Sequence, residues 1–136
     1  MADENIASSN LERVHLYLKA IEDGQFSDIR ELFAPDALMV QYPNRIYQQG
    51  ISASISQMAE AFEKGRRLLS SQKYQVKNEV VNRDSVAVEV LWVGKLAISF
   101  GSLQAGSEMR AHSAMFFEFK DGKIVSQKNY DCFKPW

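Results

Sequence analysis

Two histidines and a single cysteine are the only residues of their kinds in this 136-residue chain, so a site built on an imidazole or a thiol has few candidates. His112 and Asp131 lie on opposite arms of RAHSAMFFEFKDGKIVSQKNYDCF, which reverses at Asp121-Gly122. Asp-Gly between alternating apolar flanks is a strong hairpin signal, because both turn positions take φ > 0. A two-residue turn pairs Lys120 with Lys123, and counting back along both arms brings His112 opposite Asp131 at hydrogen-bond range. A carboxylate bound to an imidazole fixes its tautomer and stabilises the protonated ring, which prepares a general base. The same pair also reads as a cross-strand contact worth ~0.2–1 kcal/mol that pins the hairpin register.

Tyr17 lies on the flank of a predicted first helix, a turn from Val14 and Ile21, where its hydroxyl could reach an interior site or simply snorkel. Gln41, Tyr42 and Trp92 fall on other predicted strands and read individually as core or rim. There is no nucleophile elbow, phosphate loop or dinucleotide fingerprint. The histidines are far apart and Cys132 stands alone, so no metal-ligand spacing exists. Any chemistry is expected to be acid–base work with no cofactor and no metal.

The elements that must position these residues come first as helices and then as a meander. Ser9 and Glu12 read as a capping box, followed by Leu11, Val14, Leu18 and Ile21 at helical spacing, with Gly24 as C-cap. Residues 1–8 then form a disordered tail. A second helix runs through SDIRELF and stops at Pro35. ALMVQY is a strand, and a third helix starts near Ser52 with Ile55, Met58, Ala59 and Phe62 on one face. YQVKNEVV and SVAVEVLWV alternate about Asn82–Ser85 as two antiparallel strands, and a glycine-punctuated loop covers 94–107. This order means α+β in one domain spanning 1–136, with a curved sheet around three helices and a pocket at the open end.

The net charge of −1, with cations scattered, gives no basic stripe for nucleic acid and no run for a membrane surface. The polar, acidic start MADENIASSN is unlike a signal peptide, and one cysteine fits a reducing cytoplasm.

Strand parity leaves the face question open. Arg110, His112, Ala114, Phe116 and Glu118 share one face with Val125, Gln127, Asn129, Asp131 and Phe133. The other carries Met115, Phe117, Phe119, Ile124, Tyr130 and Cys132, and by apolarity alone it is the core.

From about Leu11 to Trp136 the chain resembles the nuclear transport factor 2-like superfamily, in particular its SnoaL-like branch. YLKAIEDGQFSDIRELFAPDALM and FEFKDGKIVSQKNYDCFKPW carry the resemblance. It implies a cystatin-like cone: a strongly curved, mixed but mostly antiparallel sheet wrapped around three N-terminal helices. It also implies that the face of Ala114, Phe116 and Asn129 lines the cone, with His112 and Asp131 inside and the reverse face forming a homodimer. The superfamily includes isomerases, polyketide cyclases, dehydratases, epoxide hydrolases and plain binding proteins. Ketosteroid isomerases keep a catalytic tyrosine seven residues before the glycine that ends the first helix, as Tyr17 and Gly24 do. Their general-base aspartate falls near Gln41 or Tyr42, and their second acid maps to Ala114. The final-strand aspartate of the cyclases and epoxide hydrolases maps to Asn129, two residues before Asp131. The expectation is a pocket for a small hydrophobic molecule. It is either a cofactor-free isomerase, cyclase or dehydratase for an apolar carbonyl compound, polyketide-like or terpenoid, or a non-catalytic binder. A protein-interaction module using the outer sheet face is the further alternative.

Overall fold

The computed structural model describes residues 2–136. Its first helix, α1, runs from Ala2 to Asp23 and carries Asp3 and Glu4 in the first turn, where carboxylates favour the helix dipole. The expected capping box at Ser9 is therefore interior to the helix: Ser9 Oγ accepts from Arg13 Nη1 at 2.7 Å. Residues 2–8, expected as a tail, are helical. Val14, Tyr17 and Leu18 form the buried stripe, and Leu16 points outward. Gly24, at φ +71°, ends the helix as expected, with the Gln25 N–H donating to Ala20 O at 2.9 Å.

Helix α2 (Phe26–Leu32) seats Ile29 in the core and passes directly into β1 (Phe33–Gln41). Pro35 thus lies within a strand, at the stretch where the pairing of β1 with its neighbour is irregular. A short strand β2 (Ile51–Ala53) occupies the place expected for the start of the third helix. Helix α3 (Ile55–Leu68) begins after it, capped by Ser54 and Gln57 in a reciprocal capping box. Four long strands complete the chain: β3 (Leu69–Val81), β4 (Ser85–Leu96), β5 (Glu108–Lys120) and β6 (Lys123–Phe133).

The strands form one six-stranded curved sheet in the order β2-β1-β6-β5-β4-β3. Only the β1–β6 pair is parallel, so the expected mixed, mostly antiparallel α+β architecture is present. The core lies between the concave face and the helices, with Val14, Tyr17, Ile29, Phe33, Phe117 and Ile124 at its centre. No helix among the described residues is long and apolar enough to cross a membrane.

Candidate functional site

The last hairpin turns at Asp121 (φ 50°) and Gly122 (φ 77°), as its sequence requires. Lys120 pairs with Lys123 and Phe119 with Ile124, but Glu118 then pairs with Ser126, so Val125 is an extra residue on β6. From there the register is displaced by one. His112 faces Cys132 and Asp131 faces Ser113.

The expected His112–Asp131 pair therefore does not form, for a reason of parity. Ile124 is fully buried beside the turn, and Phe133 at the far end lines the cavity, so an even and an odd position share one face. A bulge between them is the way to satisfy both. Without it Lys128 would replace Asn129 opposite Met115, and a lysine would be driven into the core. With it, Met109, Ala111, Ser113, Met115, Phe117 and Phe119 turn inward on β5, while His112, Ala114 and Phe116 turn outward.

The inward row opens into a cavity of two adjoining chambers. The outer one, of about 300 Å³, lies over the small residues Ala111 and Ser113 and is walled by Trp92, Tyr74, Phe133 and Asp131. The inner one, of about 210 Å³, reaches Tyr17, Met39, Met58 and Phe62. Gln41, Tyr47, Gln72, Tyr74 and Asn129 border both.

Among the described residues, Asp131 and Lys64 are the only charged side chains around the outer chamber; Lys64 is exposed and forms no ion pair with Asp131. Loss of water raises the Asp131 carboxyl above its ordinary value, partly offset by the Ser113 hydroxyl beside it. Burial pushes the Tyr17 phenol up to about 12, opposed by the neighbouring Gln127 amide and reinforced by the Asp131 charge. Burial likewise raises Tyr74, and the charges of Asp131 and Glu22 add to the effect. Both phenols therefore serve as neutral hydrogen-bonding groups.

Polar side chains in the wall are held in place. Gln127, fully buried, donates from Nε2 to Asn129 Oδ1 at 3.0 Å, and among the described residues Asn129 Nδ2 has no acceptor. Trp92 Nε1 donates to Gln72 Oε1 at 3.0 Å. The indole also meets the Phe133 ring edge-on, with centroids 6.1 Å apart. Gly94 makes room for it: a Cβ there would come within 2.6 Å of the Trp92 ring.

Of the residues singled out from sequence, Asp131, Asn129, Gln41, Trp92 and Tyr17 border the cavity. His112, Ala114 and Phe116 lie on the convex face instead, as the displaced register dictates, and Tyr42, just past β1, stacks on Tyr130 there. The histidine that does meet a carboxylate is His15, whose Nε2 lies 2.5 Å from Glu79 Oε2 at the surface. Sequence reasoning missed Gln72, Tyr74 and Ser113. The first two lie two residues apart, so their alternation in SQKYQV was the available signal.

Residues 14–127 match the family described as SnoaL-like domain. The chain belongs to the SnoaL-like domain family. Comparison with curated proteins finds no match. Among solved structures, AclR, a proposed hydroxylase from Streptomyces galilaeus, is 18% identical with a TM-score of 0.77, covering 92% of this chain and 79% of AclR. IdmH, a proposed polyketide cyclase from Streptomyces antibioticus, is 20% identical with a TM-score of 0.76, covering 90% of this chain and 91% of IdmH. An epoxide hydrolase from M. tuberculosis is 13% identical with a TM-score of 0.70, covering 92% of this chain and 84% of the other. At these identities the likeness is one of fold. Within the SnoaL-like frame, Asn129 and Asp131 both look into the cavity, whereas Ala114 does not.

Proposed function

We propose that the cavity binds a small, largely apolar carbonyl compound, polyketide-like or terpenoid, and that Asp131 moves a proton at the carbon beside its carbonyl. The observation that carries this reading is a single half-buried carboxylate, desolvated and without a cation, on the wall of an apolar chamber. Desolvation makes the ionised carboxylate a stronger base than one in water. Asp131 takes the proton, the C–H electron pair passes into an enolate, and the Asn129 Nδ2 group donates to the developing oxyanion. Return of the proton to another carbon gives isomerisation; attack by the enolate carbon on a second carbonyl gives ring closure, and loss of a β-hydroxyl gives dehydration.

The test is hydrogen exchange. Cyclic enones and β-diketones are incubated with the protein in D₂O, and loss of the α-proton signal is followed by NMR. Exchange should be ~10²–10⁴-fold slower with Asp131→Asn and unchanged with His112→Ala. Compounds that bind without exchanging above the buffer rate would favour the second reading, a non-catalytic binder in which Asp131 is a polar anchor.

The convex face carries Tyr42, Phe116 and Tyr130 exposed in one cluster, with Tyr42 and Tyr130 stacked at 4.6 Å. We place a homodimer contact there. Cys132, free and exposed, suits a reducing cytoplasmic setting.

A further inference from the structure

The outer chamber has a second chemical character. Its base is made of Ala111 and Ser113, the smallest inward residues on β5, paired across the sheet with Trp92 and Asp131 respectively. The large side chains stand around this depression and not in it. Trp92 and Phe133 meet at 81° and make a corner, and Tyr74, paired with Trp92 on β3, extends the aromatic wall. On the far side of Ser113 stands a carboxylate with no positive partner. Aromatic faces on one side and an anion on the other are complementary to an organic cation that is too weakly hydrated to resist entry.

We propose that this chamber is a binding site for small organic ammonium ions, held between the Asp131 carboxylate and the Trp92, Tyr74 and Phe133 rings. The ion supplies the counter-charge that the fold withholds from Asp131, and its alkyl groups cover the ring faces. Hydrogen bonding is not needed for the fit, so quaternary ammonium serves as well as a protonated amine. Lys64 opposes such a ligand only from a solvent-exposed position, where its charge is screened. The site is independent of the catalytic reading, since it asks only for an ionised Asp131 and open space above Ala111. An ammonium ion in this chamber excludes a carbonyl substrate from it.

The probes are choline and its uncharged carbon isostere, 3,3-dimethyl-1-butanol, measured by calorimetry at pH 7.5. Choline should bind the parent protein at least about tenfold more tightly than the isostere, a difference of ~1.4 kcal/mol. Asp131→Asn should remove that preference while leaving the isostere's affinity in place. Ala111→Leu, which fills the depression, should abolish binding of both. The comparison in the parent needs no variant, so a misfolded mutant cannot rescue the proposal. Equal affinity for the two probes would overturn it, as would choline binding that survives Asp131→Asn or no choline binding at all. Failure of hydrogen exchange with carbonyl compounds would leave these results untouched.

Discussion

Removing water from a carboxylate without giving it a cation costs stability, and Asp131 bears that cost. Its pKa is raised by desolvation in the folded chain, so the native state binds the carboxyl proton more readily than the unfolded one. Stability attributable to this group is therefore highest below the unfolded pKa and falls as pH rises through the folded value. Asp131→Asn abolishes the charge and keeps the shape. We expect it to stabilise the protein at pH 7 by about 0.5–2 kcal/mol, the range seen when a site tuned for function is relaxed. The gain should shrink as pH falls below the folded pKa of Asp131. Thermal melts between pH 4 and 8 measure this directly, and a variant less stable than the parent at pH 7 would show that the carboxylate has a stabilising partner.

Among the elements, the site depends on the register that β6 takes beyond Val125. Deleting Val125 leaves Ile124 inward, Ser126 outward and Gln127 inward in plain alternation, so Asp131 still faces Ser113 and Lys128 still faces Phe116. We expect the deletion variant to fold with Asp131 kept in the cavity and its carboxyl pKa still raised in a ¹³C-NMR titration; loss of that shift would mean that the bulge itself holds the register. A costlier change acts on the opposite wall. Gly94→Ala places a methyl group 2.6 Å from the Trp92 ring, which must swing toward the chamber. It should cost about 1–3 kcal/mol by overpacking and shift the Trp92 fluorescence maximum. Unchanged emission would mean that the ring has another way out. The helices, the Asp121-Gly122 turn and the Gly24 cap were legible in the sequence because each rests on local chemistry. The bulge was not, since it arises from a conflict between Ile124 and Phe133 that only a shared core imposes. One missed residue moved His112 from the cavity to the surface. Yet the parity that grouped Asn129 with Asp131 was readable and correct, because both lie beyond the bulge. Strand β2 escaped notice because three residues carry too little pattern.

At the scale of the whole molecule, the sheet has a concave face committed to the cavity and a convex face that is only partly polar. The displaced register also decides what the convex face displays. Phe117, Phe119 and Ile124, expected there from the resemblance, are core; Tyr130, expected there too, is exposed, and Phe116 and Tyr42 join it outside. An exposed aromatic cluster on a sheet face favours burial against a second copy. Sedimentation at micromolar concentration should give a dimer, and Phe116→Lys with Tyr130→Lys should give a folded monomer. A monomeric parent would count against the interface. A dimer insensitive to both substitutions would move it to another face.

In the proposed reaction the proton moves to Asp131, which is turned into the cavity and away from His112. The most direct test of this placement is a ¹³C-NMR titration of the Asp131 carboxyl, assigned by its disappearance in Asp131→Asn. The expected midpoint lies above the ordinary aspartate value of 3.8, and the curve is unaltered by His112→Ala. A midpoint at or below that value, or one that moves when His112 is removed, would contradict this placement and return the carboxylate to a pair with His112.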